Sequence, residues 1–149
     1  MRAVIQRVMN ASVQVDGGTV STIGCGILAL VGFHTDDTES DADYIIAKMF
    51  GLRIFGDENG VMNLSVADTG GEVLIVSQFT LYGDTRKGKR PSYSTAMPPE
   101  RARQFYESFI QKCRASYERV SSGMFGADMQ VSLVNSGPVT IILDSSKIL

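Results

Sequence analysis

The segment Ser77-Gln78-Phe79-Thr80 is the strongest candidate for a functional site, because it follows a predicted strand at 72–76 that contains the apolar run VLIV. Polar residues at the exit from a strand are a common place for sites, since the strand holds the loop rigidly. Hydroxyl and amide side chains can position a substrate, and preorganised backbone N–H groups can stabilise an oxyanion. The segment therefore predicts a site whose chemistry depends on backbone groups and on positioning.

Other common catalytic chemistries are not supported by the sequence. The single histidine, His34, ends an apolar run, and no Gly-x-Ser-x-Gly motif accompanies it, so a Ser-His-Asp triad is not predicted. No His, Cys or carboxylate residues have the spacing of metal ligands, and no Gly-rich phosphate loop opens a helix. Asp57 and Glu58 are adjacent in a turn beside Asn59-Gly60, which is typical of a solvated turn. No metal ion and no cofactor is predicted.

Two further features allow alternative interpretations. On sequence alone, Gly137-Pro138 is best interpreted as a trans turn, because only about 5–6% of X-Pro bonds in folded proteins are cis; the alternative is a fixed cis bond that presents backbone carbonyls. A basic run lies in the polar, proline-bearing loop at 84–98 and is either a solvated face or a contact with RNA phosphates. This run comprises Arg86, Lys87, Lys89 and Arg90.

Hydrophobic periodicity indicates the elements that must position these residues. Helices are predicted over residues 39–51, capped by Thr38 or Ser40, and from Pro99 onwards. The turn at 135–138 is predicted to separate the last two strands. Strands are predicted over residues 3–8, 11–15, 20–23, 27–33, 72–76, 128–134 and 139–143. Strands in hairpin order with two main helices indicate an α+β fold with a largely antiparallel, barrel-like sheet, in a single domain over residues 1–149.

Composition and charge limit the partners and the compartment. The net charge of −2 gives no globally basic surface, so any RNA contact must be a local patch or must depend on hydrogen bonds and shape. Cys25 and Cys113 lie far apart in apolar segments and are predicted to be buried thiols, which fits a reducing cytoplasm. No signal peptide and no membrane span is predicted, because no stretch of about 20 mostly apolar residues occurs. We therefore expect a cytoplasmic location.

Two motifs, SQFTLYG at 77–83 and NSGPVT at 135–140, together resemble the signature motifs of the D-aminoacyl-tRNA deacylases. Supporting stretches are MRAVIQRV at the start, GLRIF around Arg53, DTRKGKRPSYS from Asp84 and FGADMQVSLVN from Phe125. The similarity spans essentially residues 1–145. Two separated motifs in register with matching flanks make this a specific resemblance.

The resemblance implies an antiparallel α+β homodimer that hydrolyses the ester joining a D-amino acid to the 3′ end of tRNA. It also implies that the Gly137–Pro138 bond is cis and reaches across the dimer into the partner's site, where it rejects L-amino acids. Glycine has no side chain to collide with such a wall, so glycyl-tRNA is a further expected substrate. By the same resemblance the SQFT segment lines the pocket. We also expect Arg7 to brace the Gly-Pro segment and the basic run to contact tRNA.

The mechanism expected from these residues uses main-chain donors. Backbone N–H groups near Phe79 and Thr80 would stabilise the oxyanion, while the terminal ribose hydroxyl helps to activate water. The alternative is Thr80 as a nucleophile, for which no activating base is identified. Two other functions compete: a non-catalytic RNA-binding module with Phe79 and Tyr82 as stacking platforms, and an esterase or peptidase acting on small molecules. The low net charge weakens the first, and the missing triad and metal ligands weaken the second.

Overall fold

The computed structural model describes all of residues 1–149 and contains eight strands and two α-helices. The strands are β1 (Arg2–Val15), β2 (Gly18–Ile23), β3 (Gly26–Gly32), β4 (Phe55–Gly56), β5 (Met62–Leu64), β6 (Glu72–Ser77), β7 (Val120–Ser122) and β8 (Gln130–Asp144). The helices are α1 (Glu39–Gly51) and α2 (Pro99–Ser116), and a 3-10 turn spans Phe79–Tyr82.

Strand β1 organises the main sheet, because it pairs antiparallel with β2, β3 and β8. Strand β6 then pairs parallel with both β3 and β7, so the sheet is mixed. The sheet curls until Ser21 on β2 donates a hydrogen bond to the Ser122 carbonyl on β7 at 2.6 Å, which nearly closes a barrel. The predicted α+β class with a barrel-like sheet and two main helices is confirmed.

Apolar residues on opposite faces of the sheet form two cores. Ala3 and Ile5 of β1 face the larger core, which both helices cover, whereas Val8, Ala11 and Val13 face the smaller core inside the curled sheet. Alternation alone would place Ala11 and Val13 on the other face of the sheet from Val8, since successive side chains in a strand point to alternate faces. The register of β1 against β8 shifts between Val8 and Asn10, and this irregularity keeps all three on one face.

The helices begin where the sequence predicts. Thr38 precedes α1, and its backbone N–H and its hydroxyl both donate to the Asp41 carboxylate at 2.9 Å, as part of a capping box. Pro99 occupies the first turn of α2, where the missing N–H costs nothing. Neither helix is long and apolar enough to cross a membrane.

The predicted turn at 135–138 is wrong, because β8 runs through these residues as one strand. Val8 pairs with Asn135 and Gln6 pairs with Thr140, so residues 136–139 bulge out opposite Arg7 without reversing the chain. Strand β1 is long enough to pair with both halves of β8, and this pairing keeps β8 running in one direction through residues 135–138. The predicted strands at 3–8 and 11–15 are likewise one strand.

The prediction of two buried thiols is half wrong. Cys113 is fully buried in the larger core, but Cys25 is exposed. Cys25 lies in the bend between β2 and β3, where the chain leaves the sheet before re-entering it. The apolar residues around it in sequence therefore do not enclose it.

Candidate active site

A cavity of about 700 Å³ opens where β3 and β6 end and α2 begins. This volume lies within the usual range for a small-molecule pocket, roughly 300–1,000 Å³. Twelve of the nineteen lining residues are hydrophobic, and none is lysine or arginine. They are Val31, Gly32, Phe33, Val76, Ser77, Gln78, Phe79, Tyr93, Ala96, Met97, Pro98, Pro99, Ala102, Phe125, Gly126, Ala127, Asp128, Met129 and Val131.

The wall formed by Ser77, Gln78 and Phe79 depends on a close approach of two backbones. Strand β6 ends at Ser77. The Gln78 N–H then donates to the Val31 carbonyl at 2.6 Å, and this hydrogen bond holds the residues that follow β6 against β3. A Cβ atom at Gly32 would lie 2.8 Å from the Gln78 carbonyl oxygen, so only glycine permits this contact without a shift. The 3-10 turn follows immediately.

Ser77, Gln78 and Phe79 line the cavity, but Thr80 does not. Phe79 and Thr80 begin the 3-10 turn, so their backbone N–H groups lack an acceptor within the turn. The Thr80 hydroxyl is exposed and accepts a hydrogen bond from the Gln78 side-chain amide, which is not a base. The arrangement can therefore supply main-chain donors to a bound carbonyl, and it shows no group that would activate Thr80 as a nucleophile.

Two aromatic rings stand at the mouth of the cavity. Phe79 is 59% exposed, and its ring meets that of Tyr93 edge-on with a centroid distance of 5.0 Å. Tyr82 in contrast is buried, with the Arg2 guanidinium 4.7 Å above its ring and His34 beside it. Burial raises the pKa of the Tyr82 hydroxyl, and the nearby Asp37 carboxylate raises it further. The proposed role of Tyr82 as a stacking platform is therefore wrong.

His34 lies beside the Tyr82 ring and makes hydrogen bonds with the residues that follow it in the chain. Its Nδ1 atom accepts a hydrogen bond from the Asp36 N–H at 3.1 Å, and its backbone N–H donates to the Asp37 carboxylate at 2.6 Å. The histidine does not line the cavity. These contacts hold the loop that leads into α1, so His34 has a structural role in this geometry.

The second motif lies outside the cavity of its own chain. The Gly137–Pro138 bond is cis, both residues are exposed, and neither lines the pocket. They lie opposite Arg7, whereas the cavity begins at Val31 and Gly32 of β3. Arg7 pairs with Ile27 of β3, five residues before Gly32, on the far side of β1 from β8. Along the sheet, at about 3.4 Å per residue and about 4.8 Å per strand, the two motifs are roughly 20 Å apart.

Arg7 and Asn135 hold the Gly-Pro bulge in place. Arg7 donates from Nε to the Ser136 carbonyl at 3.2 Å and from Nη1 to the Ile54 carbonyl. The Asn135 amide nitrogen donates to the carbonyls of Arg7 at 2.9 Å and of Val139 at 3.0 Å. The bulge is thus tied to β1 at Asn135 and Ser136, its other end at Val139 is tied back to Asn135, and the two residues between them, Gly137 and Pro138, are exposed.

The basic run lies in an exposed loop whose ends are joined by backbone hydrogen bonds between Asp84 and Ser92. Arg86 makes two side-chain hydrogen bonds to Asp84, at 2.9 and 2.8 Å, and these hold the pKa of the Asp84 carboxyl at about 2. Lys87, Lys89 and Arg90 make no ion pair. Three of the four predicted cations are therefore free to meet a polyanion.

Sequence reasoning missed the opposite wall of the cavity. That wall comes from the first turn of α2 and from residues 125–129, between β7 and β8. Phe125 and Met129 are ordinary core residue types, and their spacing carries no signal of a cavity. Only the likeness of the stretch from Phe125 to a known family marked it in advance.

Comparison with known proteins identifies close relatives. A family model described as D-Tyr-tRNA(Tyr) deacylase matches residues 4–144. The D-aminoacyl-tRNA deacylases of Thermosipho africanus and Koribacter versatilis are each 58% identical to the chain, over 148 and 147 residues, covering 99% of both chains in each case.

Two solved structures share the fold. A c-Myc DNA unwinding element binding protein is 46% identical, with a TM-score of 0.93 over 97% of this chain and 98% of its own. A probable eukaryotic D-amino acid tRNA deacylase is 18% identical, with a TM-score of 0.82 over 95% and 97%, and supports the fold alone.

Proposed function

The chain belongs to the D-aminoacyl-tRNA deacylase family and is a hydrolase of that kind, and we propose that it acts as a homodimer that rejects L-aminoacyl-tRNA. Its substrates are D-aminoacyl-tRNA and glycyl-tRNA, from which it releases free tRNA and the amino acid. We place this activity in the cytoplasm, where aminoacyl-tRNA is used.

One observation carries the dimer proposal: Ser77, Gln78 and Phe79 line the cavity, while Gly137 and Pro138 lie outside it, roughly 20 Å away along the sheet of the same chain. Both motifs can act on one substrate only if a second copy brings its own Gly-Pro bulge to the cavity. A two-fold axis would complete two such sites at once, since the same surfaces meet twice in a symmetric dimer.

The free edge of β8 supports a second copy at this face. Strand β8 pairs with β1 on one side only, and its other edge is left without a partner. Val134 is 52% exposed and Ile142 is 61% exposed on this strand. Long edge strands with exposed apolar residues are usually covered, because they otherwise aggregate.

The chemical step needs little from side chains, because an aminoacyl ester is already reactive. We propose that the N–H groups of Phe79 and Thr80 stabilise the oxyanion formed when water attacks the ester carbonyl. Removal of one such donor costs about 10²–10³ in kcat in a well-studied hydrolase. The terminal ribose hydroxyl of the substrate helps to remove the proton from water, in place of a histidine.

Selectivity comes from exclusion. Correct L-aminoacyl-tRNA greatly outnumbers the D form, and a discrimination of about 10⁴ requires roughly 5.5 kcal/mol of differential transition-state binding. A backbone wall that collides with an L side chain can supply this, whereas one extra apolar contact cannot. Hydrogen bonds from Arg7 and Asn135 hold the Gly137–Pro138 bulge and suit it to this role. Glycyl-tRNA is not excluded, because glycine has no side chain that would collide with the wall.

Mixed dimers test whether the site is shared. Phe79→Pro removes one oxyanion donor at a position where proline suits the start of a turn, and Phe79→Ala is the matched control that keeps the N–H. Gly137→Ala disturbs the bulge and should therefore admit L-aminoacyl-tRNA. The two defective chains carry different affinity tags at the exposed end, Leu149, since Met1 is buried. Purification through both tags isolates the mixed dimer.

A shared site predicts that the mixed dimer hydrolyses D-aminoacyl-tRNA with about half of the wild-type kcat and rejects L-aminoacyl-tRNA as the wild type does, because its one intact oxyanion site then meets the intact bulge of the other chain. If each site used both motifs of one chain, the intact oxyanion site would meet the altered bulge, and the mixed dimer would cleave the L ester as the Gly137→Ala parent does. A mixed dimer that cleaves the L ester, or a monomer in sedimentation, contradicts the proposal.

A further inference from the structure

We propose that Arg103 on α2 is a positioning residue that binds a phosphate of the single-stranded 3′ end of tRNA at the rim of the cavity, an inference that rests on the proposed function. The cavity wall contains no lysine or arginine, although the substrate that must enter it carries one negative charge per nucleotide. Cations at the rim must therefore meet the phosphates that flank the reacting end.

Arg103 lies at that rim through two contacts. Its guanidinium carbon is 5.0 Å from the centroid of the Phe125 ring, and its Nη2 atom is 3.3 Å from the position that a Cβ atom of Gly126 would take. Phe125 and Gly126 line the cavity, as does Ala102, the residue before Arg103. A guanidinium stacked on a ring keeps its N–H groups free at the edge, where they can form a two-pronged contact with a phosphate.

The charged neighbours of Arg103 do not neutralise it. Glu100 and Glu107 are three residues before and four residues after it on α2, where helical side chains commonly pair. Neither carboxylate forms an ion pair with Arg103, and Asp128, which lines the same cavity, does not pair with it either. The side chain instead lies on the aromatic ring.

Most of the other arginines in the chain have a hydrogen-bond or ion-pair partner, unlike Arg103. Of the nine arginines in the chain, Arg90 and Arg103 are the two whose side chains make neither a hydrogen bond nor an ion pair. Arg101, two residues earlier on α2, donates to the carbonyls of Thr35 and Asp37. Arg90 belongs to the basic loop, so Arg103 is the uncommitted arginine that borders the cavity.

The decisive experiment compares two substrates that differ in their phosphates: D-aminoacyl-tRNA and the same D-amino acid esterified to the 3′ hydroxyl of adenosine. Arg103→Gln should raise KM for the tRNA ester about tenfold, the size of one charge-assisted hydrogen bond, with kcat within about twofold. KM for the adenosine ester should rise by less than about twofold. Arg103→Lys should recover part of the loss, because lysine restores the charge but not the paired N–H donors of the guanidinium group.

Arg114→Gln is the matched control, since it removes the same charge from α2 about 16 Å further along the helix. Its side chain contacts Ser122 and not the cavity, so both KM values should stay at the wild-type level. A second readout is the binding of uncharged tRNA as a function of salt. Arg103→Gln should flatten the slope of log K against log[salt] by about 0.7, the value for one phosphate of a single strand.

Equal KM changes with both esters would overturn the proposal, because Arg103 would then act through the shape of the Phe125 wall. An unchanged salt slope and unchanged KM values would overturn it as well, leaving Arg103 a solvated side chain. Wild-type protein that cleaved neither ester would contradict the proposed function itself, whereas wild-type activity with no effect of Arg103→Gln would contradict this inference alone.

Discussion

The Arg7 guanidinium occupies the space that a side chain at residue 137 would need. A Cβ atom on Gly137 would lie 2.5 Å from the Arg7 Nη2 atom, and Gly137 has a φ of +115°, which L side chains rarely adopt. Arg7 is held there by its hydrogen bonds to the carbonyls of Ser136 and Ile54. The bulge that carries the second motif therefore depends on glycine for two separate reasons.

Gly137→Ala should cost roughly 1–3 kcal/mol of unfolding free energy, the usual range for a residue held in an unfavourable backbone conformation. Gly60→Ala is the control, because Gly60 also has a positive φ, +74°, but nothing lies within 4 Å of its Cβ position. Urea denaturation should show the larger loss for Gly137→Ala, since the displaced Arg7 adds to the backbone strain. An equal loss of unfolding free energy in the two variants would show that the Arg7 side chain can move aside without cost.

Thr80→Ala should keep kcat within about tenfold of the wild-type value in single-turnover hydrolysis of D-aminoacyl-tRNA. Alanine preserves the backbone N–H and removes only a hydroxyl that accepts a hydrogen bond from Gln78. Loss of a true nucleophile would cost about 10⁴ or more. Such a loss, or an acyl group trapped on Thr80, would make Thr80 the nucleophile.

The double variant Lys87→Gln/Lys89→Gln should weaken tRNA binding and flatten its salt dependence, by about 0.7–0.9 in slope for each phosphate that the loop no longer neutralises. Both lysines are exposed and unpaired, so their removal leaves the fold intact. Lys112→Gln is a control, because Lys112 is already paired with Glu39 and Asp43. An unchanged slope in the double variant removes the loop from the tRNA interface.

One thiol of each chain should react with a thiol reagent at pH 8, and two should react after denaturation. Cys25 is exposed, whereas Cys113 is fully buried and its burial raises the pKa of the thiol to about 12. The reactive thiolate of Cys113 is therefore scarce as well as inaccessible. Cys25→Ser should abolish the native reaction; residual labelling of that variant would show that the helix α2 opens readily.

The sequence predicted features whose causes are local. Thr38 marks the start of α1 because its cap partner, Asp41, is three residues away, and Pro99 marks α2 because proline suits a first turn. Apolar runs located β3 and β6 because both strands are buried on their two faces. The SQFT segment could be placed at a site from its position after β6 and from a family resemblance.

The features that were missed depend on partners distant in sequence. Residues 135–138 look like a turn until the register of β8 against β1 is known, because only the pairing of both halves with β1 keeps the strand continuous. Phe125 and Tyr93 carry no sign of the cavity, since apolar types in a core and in a pocket are the same. Cys25 was assigned to the interior for a similar reason: its neighbours are apolar, but the bend between β2 and β3 turns it outwards.

The most direct test of the account is hydrolysis of D-aminoacyl-, L-aminoacyl- and glycyl-tRNA by the purified protein under identical conditions. A main-chain wall that admits one mirror image predicts fast release from the D ester and from the glycyl ester, with kcat/KM for the L ester lower by about 10⁴. Equal rates for the D and L esters, or no hydrolysis of either, would contradict it.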